Sequence, residues 1–404
     1  MDRFEAIPAP LRQYAGRVSD VDSHEMMPLQ EWARVLGTAF LPYGDAWIAG
    51  GEDETSNRNH PNVPGFPGDV EPIGGDIGDV KGCRAPGATD MTRRTAVMDA
   101  MGISRQLMFA GAPGFQGLML QLNGHDRELW TTITKDRREL GKHTVNLYND
   151  WLVEAARVSD RLRPVAVLHT ENVEELLTTT RSLLDRGIRA VQLPAGVLPG
   201  GKSPADPALD PFWSMLTDTD SIATLHIGGE ATFFETRDWG EAPAFKGFRN
   251  LGEFTVDPWT LSVIHLPSQN FVSTMLAGGV FERHPSLRFG VIEVGAYWFG
   301  PMLQTLDMWY ENAQLFKSPG TYQMPNPPSF YARRNIRLTP FVFEDAGKLI
   351  EQYDLGDVLC FSSDYPHVEG GTRAMQRFYD SVVHLGDEAV EKFFVTNGSY
   401  LLPD

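Results

Sequence analysis

Eight short apolar segments alternate with helical patterns along the chain, and this alternation restricts the fold more than any other feature. Apolar residues between the segments recur at helical spacing, with acidic residues early and basic residues or glycine late. Such a pattern predicts parallel strands joined by right-handed crossovers, and eight strands close a barrel. We therefore predict an α/β fold, a (β/α)8 TIM barrel. Its predicted strands cover residues 17–24, 105–111, 162–169, 190–196, 223–229, 288–295, 335–342 and 357–367.

An open doubly wound sheet is the structural alternative to the barrel. That fold usually carries a glycine-rich phosphate-binding loop after its first strand. Acids and a histidine stand there instead, in the stretch DVDSHE. The barrel is therefore the better interpretation of the alternation.

Two connections, residues 43–95 and 230–260, are too long to be plain loops. Both follow predicted strands, so we expect both on the C-terminal face of the barrel. There they either cover a substrate or form subunit contacts. His60, in the first connection, is either a residue that enters the site from a lid or a solvated loop residue. We treat residues 1–404 as a single domain that carries these two insertions.

Composition excludes several classes of protein. The chain has 404 residues with 35 Lys and Arg against 53 Asp and Glu, a formal charge of −18. This balance argues against nucleic acids and anionic membranes as partners. Cys83 and Cys360 lie far apart, which argues against a disulfide framework or a thiolate zinc site. The sequence shows no signal-peptide core and no apolar run of membrane-spanning length, so we expect a cytoplasmic protein.

Ionisable residues collect where the predicted strands end. An isolated buried histidine is usually a hydrogen-bonded core residue, but a desolvated carboxylate costs several kcal/mol unless it is paired. A divalent cation is an efficient partner for several such groups at one rim. Imidazole and carboxylate without thiolate suit Zn, Mn, Fe or Co better than Mg or Ca. We expect one or two divalent ions, with zinc first and manganese or iron as alternatives. The residues at the strand ends are Asp22, His24, His169, His226, Glu293, Asp364 and His367.

Six segments in this order resemble the amidohydrolase-related family, the amidohydrolase 2 group. They are DVDSHEMMP, YNDWLVEAARVSDRLRPVAVL, GIRAVQLPAG, LHIGG, GVIEVGAYWFGPML and FSSDYPHVEG. The group includes aminocarboxymuconate-semialdehyde decarboxylase and resorcylate decarboxylase. The resemblance implies that Asp22, His24, His226 and Asp364 bind a metal ion. In decarboxylating relatives the last-strand Asp and a sixth-strand His help with proton transfer, which points to Asp364 here.

The sixth strand departs from this pattern, because Glu293 stands where those decarboxylases have a histidine. A carboxylate there is a general base, a further ligand to the same ion, or the anchor of a second ion. The fourth strand ends in AVQLPAG without a lysine, so the carbamylated-lysine bridge of the dinuclear hydrolases is not expected. The resemblance also implies a second activity, because some members of the family are dinuclear iron or manganese oxygenases, and an additional carboxylate suits them.

Several further residues have two possible roles each. Glu25 is a ligand or, as we favour, the N-cap of the helix that follows it. Asp20 is better interpreted as buried support than as a ligand. His367 orients Asp364 or meets substrate, and His265 begins a helix near the pocket or is structural. Arg373 binds a substrate carboxylate or forms a surface salt bridge.

Together these features predict a metal-dependent decarboxylase or hydrolase that acts on a small carboxylated molecule. Glu293 or Asp364 moves the proton in this hypothesis. The alternatives are a dinuclear Fe or Mn oxygenase on the same barrel and a non-catalytic paralogous subunit that keeps a structural metal. The expected partners are a small-molecule substrate and either further copies of the chain or a paralogous subunit.

Overall fold

The computed structural model describes residues 6–28, 31–32, 36, 68–124, 133–196, 198–228, 237–248, 257–315 and 324–402. Seven parallel strands form one sheet whose spatial order is the same as their order along the chain. Sequential parallel pairing requires a crossover after each strand, which is the βα repeat that the sequence predicts. The strands are β1 (Val18–Asp20), β2 (Ile103–Met108), β3 (Leu162–Val167), β4 (Ala190–Gln192), β5 (Ile222–His226), β6 (Arg288–Ile292) and β7 (Ile336–Leu338).

Residues 357–367 close the ring between β7 and β1 without forming a regular strand. Leu359 pairs with Leu338 of β7, and Tyr365 pairs with Ser23 just beyond β1. The backbone N–H of His24 donates to the carbonyl of Tyr365 at 2.8 Å. The barrel prediction is therefore confirmed, whereas the prediction of an eighth regular strand is wrong.

The backbone between these two pairs explains the irregularity. Asp364 has a left-handed conformation with φ of +49°, which is incompatible with an extended strand. The N–H of Ser363 donates to the side chain of Asp20 at 2.8 Å and not to a neighbouring strand. The closing segment therefore uses a buried carboxylate where a strand would use backbone pairing.

Helices follow the strands. The helix Val173–Asp185 illustrates their construction, because the side chain of Asn172 accepts from the N–H of Glu175 at 2.9 Å and caps its start. Leu176, Leu183 and Leu184 form its buried stripe. The described α-helices are Met91–Ala100, Ala112–Leu122, Arg137–Ala156, Val173–Asp185, Asp210–Asp218, Pro258–Val263, Leu266–Ala277, Val280–Arg283, Phe299–Glu311, Pro328–Asn335, Ala346–Tyr353, Ala374–Val382, Asp387–Glu391 and Asn397–Ser399.

A small apolar cluster, half of it drawn from the strands, is separate from the larger core that joins sheet and helices. Filling the centre of a barrel in this way leaves only the strand ends for polar groups. Phe109 belongs to this cluster and lies 4.4 Å, centroid to centroid, from the ring of His226. The cluster comprises Val21, Leu107, Phe109, Val165, Ala190, Ile222, Ile292, Cys360, Leu401 and Leu402.

The described part of the first long connection lies against the closing segment. The N–H of Gly82 donates to the carbonyl of Pro366 at 2.8 Å, and the hydroxyl of Tyr365 donates to the carbonyl of Pro86 at 2.8 Å. His60 and residues 230–236 and 249–256 of the second connection fall outside the described residues. That the chain is a single domain stays a prediction. No helix among the described residues has the length and apolar character needed to cross a membrane.

Candidate metal centre

Five ionisable side chains meet at the C-terminal ends of the strands, on four separate segments. Asp22 and His24 follow β1, His226 ends β5, Glu293 directly follows β6, and Asp364 lies in the closing segment. All five side chains are buried, with at most 6% of any residue's surface exposed. The barrel geometry thus brings together residues that are more than 300 positions apart in the sequence.

The donor atoms of these side chains lie close together. Nε2 of His24 is 3.3 Å from Oδ1 of Asp22 and 3.5 Å from Oδ1 of Asp364. Nε2 of His226 is 3.2 Å from Oε2 of Glu293 and 3.5 Å from Oδ1 of Asp22. Such convergence of nitrogen and oxygen atoms is the arrangement that a divalent cation requires.

The two imidazoles direct the same nitrogen toward the cluster. Nδ1 of His24 lies 3.3 Å from the carbonyl of Ala110, and Nδ1 of His226 lies 3.0 Å from that of Ile227. A backbone acceptor at Nδ1 favours the tautomer whose Nε2 has a free lone pair. Within the described part of the chain, neither Nε2 nor either oxygen of Asp22 makes a hydrogen bond. Because buried polar atoms are normally paired, these atoms fit a bound cation.

The pKa shifts of the clustered side chains also fit a bound cation. Burial alone would raise the pKa of Asp22, but the imidazoles of His226 and His24 outweigh it and hold that pKa below its usual range. Burial, followed by the carboxylate of Asp22, raises the pKa of Asp364 to about 7. Burial also lowers the pKa of His24 to about 4, which keeps its imidazole neutral. A neutral imidazole and crowded carboxylates are the ligand forms that bind divalent metals.

Two of the carboxylates stand on unusual backbone. Glu293 has φ of +56° and Asp364 has φ of +49°, in a region that costs a non-glycine residue about 1–2 kcal/mol. The N–H of Glu293 donates to Oγ1 of Thr339 at 2.9 Å, and that of Asp364 donates to the carbonyl of Asp22 at 3.0 Å. These bonds fix both carboxylates on the cluster.

Asp20 supports the cluster from below. Its carboxylate accepts from Nε2 of Gln106 at 2.7 Å and from both the N–H and the hydroxyl of Ser363, at 2.8 and 2.6 Å. Burial raises the pKa of Asp20 to about 6 in spite of these bonds. Asp20 is thus the buried support that the sequence predicts, and it joins the first strand to the closing segment.

Comparison with known proteins now adds to the geometry. A family model described as Amidohydrolase matches residues 119–402, which is more than half of the chain. The chain belongs to the amidohydrolase family. The resemblance read from the sequence motifs is therefore confirmed. No curated protein that was compared matches this amidohydrolase.

Solved structures share its fold. An amidohydrolase from Mycobacterium avium subsp. paratuberculosis is 20% identical with a TM-score of 0.62, over 96% of this chain and 99% of that chain. A 5-carboxyvanillate decarboxylase from Novosphingobium aromaticivorans, complexed with manganese, is 17% identical with a TM-score of 0.58, over 100% and 99%. A 2,6-dihydroxybenzoate decarboxylase from Rhizobium is 19% identical with a TM-score of 0.53, over 76% and 87%. At these identities the likeness concerns the fold.

His367 lies against the cluster, where the sequence places it beside Asp364. Its ring stacks on that of His24 with centroids 3.7 Å apart, and its Nδ1 is 3.3 Å from Oδ1 of Asp364. His24, Glu293, Asp364 and His367 thus form a second group of potential ligands beside the group of Asp22, His24, His226 and Glu293. In each group the donor atoms lie within 4.8 Å of one another.

The side chain of Glu25 accepts hydrogen bonds from backbone groups outside the cluster. Its carboxylate accepts from the N–H groups of Met27 and Gly111, both at 2.9 Å. Gly111 immediately precedes the helix Ala112–Leu122. The expectation that Glu25 caps the helix that follows it is therefore wrong in detail, because it binds the start of a helix that is distant in sequence.

His265, Arg373 and His169 are not brought into either ligand group among the described residues. Nδ1 of His265 lies 2.9 Å from the hydroxyl of Tyr297. Arg373 is exposed, and it lines a separate cavity of about 350 Å³. Its N–H donates to Oδ1 of Asp79 at 2.7 Å. Arg373 therefore lines a cavity whose walls include none of the five residues of the cluster.

A cavity of about 270 Å³ adjoins the cluster. Its lining is largely apolar and aromatic, and the strand-end pattern of the sequence does not predict it. Most of its walls come from the residues after β7, from the closing segment with the loop that follows it, and from the helix Ala374–Val382. A cavity of this volume suits a molecule with one substituted ring. The lining consists of Asp22, Leu261, Glu293, Thr339, Pro340, Phe341, Val342, Phe343, Ser362, Asp364, Val368, Glu369, Gly370, Gly371, Arg377 and Phe378.

Proposed function

We propose that this amidohydrolase is a metal-dependent decarboxylase that removes CO2 from a small aromatic acid. One observation carries the proposal: a buried cluster of imidazoles and carboxylates opens into an aromatic-lined cavity of about 270 Å³. Two of the solved structures with this fold are themselves named decarboxylases of carboxylated aromatic compounds. An accessible cavity beside the cluster also favours an enzyme over a silent subunit.

Asp22, His24, His226 and Asp364 hold a single divalent ion in this proposal. Both ligand groups need His24, and its Nδ1 faces the carbonyl of Ala110. Only Nε2 remains, and one imidazole nitrogen binds one ion. Both groups therefore cannot be filled together, which favours a mononuclear site over the dinuclear oxygenase. Zinc stays the first expectation, and we also expect manganese to load the site, because the related 5-carboxyvanillate decarboxylase is complexed with manganese.

The reaction replaces a carboxylate on carbon by a proton. When bound, the divalent ion supplies positive charge that holds a substrate oxygen. Glu293 lines the cavity beside the cluster, and in its acid form it donates a proton to the ring carbon that carries the carboxylate. The bond to the carboxylate then breaks, its electron pair returns to the ring, and CO2 leaves. Water from the open cavity restores the proton on Glu293.

Phe341, Phe343 and Phe378 hold the ring in this scheme. The rings of Phe341 and Phe343 stack with centroids 5.1 Å apart, and Phe378 is 1% exposed. Packing of the substrate ring against them covers apolar surface of Phe343, which is 68% exposed, and aligns the carboxyl carbon of the substrate with Glu293. The walls of the cavity thus set the substrate class, and the cluster sets the chemistry.

Release of CO2 under anaerobic conditions tests the proposal. We would incubate the manganese-loaded protein in deuterated water with 2,6-dihydroxybenzoate and with 5-carboxyvanillate, and measure CO2 and the product. The expected result is one equivalent of CO2 and one deuterium on the ring carbon, in wild type but not in Glu293→Gln. Hydrolysis of an amide or ester without CO2, or a reaction that requires oxygen, would overturn the assignment.

The remaining expectations belong to the same proposal. A cytoplasmic location agrees with the formal net charge of −18 and stays a prediction. Assembly with further copies of the chain, or with a paralogous subunit, also stays a prediction. Size-exclusion chromatography with light scattering on the purified chain would measure the oligomeric state directly.

A further inference from the structure

Arg377 supplies positive charge to the cavity beside the cluster. It is the basic residue among those that line this cavity. Glu369 also lines it, and its charge interacts with that of Lys81. The acidic residues of the cluster are matched by the divalent ion in the proposed function. Arg377 is therefore available to an anionic group on a bound molecule.

The position of Arg377 is held by a packed helix. Arg377 lies within the helix Ala374–Val382, and the next residue, Phe378, packs against Phe361 and Phe393 with centroid distances of 6.0 and 5.3 Å. Arg377 is an exposed residue. Among the described residues it has no hydrogen bond or ion pair with a side chain, so a ligand would not have to displace a partner. An arginine that is carried by a well-packed helix, and whose guanidinium has no side-chain partner among the described residues, suits recognition of a carboxylate by two parallel hydrogen bonds.

The cavity thus offers three kinds of contact in a small volume. The cluster lies on one wall, the aromatic rings of Phe341, Phe343 and Phe378 lie on others, and Arg377 completes the lining. A molecule that uses all three contacts has one group at the cluster, one aromatic ring and a second anionic group. A benzoate with a single acidic group would leave Arg377 solvated.

We propose that Arg377 is a specificity-determining residue that binds a second acidic substituent of the substrate. The substrate class is then an aromatic compound with two acidic groups, one that leaves as CO2 and one that stays bound to Arg377. This inference rests on the proposed function for the identity of the first group. The second group and its contact with Arg377 do not depend on turnover.

Calorimetric binding to the manganese-loaded full-length protein tests the inference. The probes are benzene-1,3-dicarboxylate and benzoate, and the variants are wild type, Arg377→Ala and Arg373→Ala. Wild type is expected to bind the dicarboxylate about tenfold more tightly than benzoate, as a charge-assisted bidentate contact gives. Arg377→Ala should lose this preference with benzoate affinity unchanged, and Arg373→Ala should keep it.

Three results would overturn the inference. They are an Arg377→Ala variant that keeps the preference, an Arg373→Ala variant that loses it, and a wild-type protein that binds neither probe better than the other. Circular dichroism of each variant checks that the helix Ala374–Val382 still folds. Because binding is measured without turnover, loss of the preference in Arg377→Ala alone supports the inference even where the decarboxylation assay fails.

Discussion

Replacing Asp364 by asparagine should stabilise the metal-free protein. Burial and the neighbouring Asp22 carboxylate raise the folded-state pKa of Asp364 from 3.8 to about 7. The folded protein therefore holds this proton more tightly than the unfolded chain does. The corresponding stability is fully present below about pH 4 and is lost as the pH rises through about 7. Asparagine resembles the protonated form at every pH.

The size of the expected stabilisation follows from the pKa shift of Asp364. Three pH units correspond to roughly 4 kcal/mol of unfolding free energy, since one unit is about 1.4 kcal/mol. For a chain of 404 residues, an unfolding entropy of about 2.1 cal/mol/K per residue converts this into roughly 5 °C of melting temperature. We therefore expect Asp364→Asn to melt up to about 5 °C above wild type at pH 7.5 in chelator.

Addition of metal should reduce the stability advantage of Asp364→Asn over wild type. An ion at a hundredfold excess over its Kd stabilises wild type by about 2.7 kcal/mol, which corresponds to about 3 °C here. Asp364→Asn lacks one of the four proposed ligands and should lose most of that increase. Asp22→Asn is the matched control: imidazole contacts outweigh burial and lower the pKa of Asp22, so this variant should be less stable than wild type in chelator.

Differential scanning calorimetry at pH 4 and pH 7.5, with chelator and with manganese, measures all these quantities. The gain from Asp364→Asn in chelator should nearly vanish at pH 4, where wild type is itself protonated. A variant that melts below wild type in chelator at pH 7.5, or whose gain is equal at both pH values, would refute the reasoning. It would mean that burial and the neighbouring Asp22 carboxylate do not raise the pKa of Asp364.

Three other substitutions test separate parts of the structure. His226→Ala should weaken manganese binding by at least about 100-fold with the fold retained, as measured by competition with a fluorescent chelator and by circular dichroism. Glu344→Ala leaves the N–H groups of Ala296, Tyr297 and Phe341 without their acceptor and should cost about 2–4 kcal/mol in denaturant unfolding. Gly370→Ala puts a Cβ 2.9 Å from the Cβ of Asp364 and should weaken metal binding without removing a ligand.

The sequence predicts much of this fold because a repeated pattern is visible residue by residue. Seven of the eight predicted strands are found, since each βα unit carries its own hydrophobic periodicity. The closing segment is different, because its course is set by long-range contacts. Ser363 bonds to Asp20, which lies 343 residues earlier, and Asp364 takes a positive φ, and neither has a local signal.

The same difference between local patterns and long-range packing applies to the candidate site. Asp22 and His24 alternate at the end of a strand, and His226 and Glu293 end two others, so topology alone predicts that they meet. Arg377 has no such signal, because its place depends on how the helix Ala374–Val382 packs beside the cavity. The neighbouring Arg373 is the arginine nearer the strand end in sequence, yet the packing turns it to a different cavity. Loop and helix packing, unlike strand order, is not encoded in a short pattern.

Manganese content per chain tests the central claim most directly. The protein would be loaded with manganese, passed through gel filtration and analysed for metal, alongside the double variant Asp22→Asn, His226→Ala. We predict one ion per chain in wild type and close to none in the variant. Two ions per wild-type chain, or one ion retained by the variant, would contradict a single site held by the buried cluster.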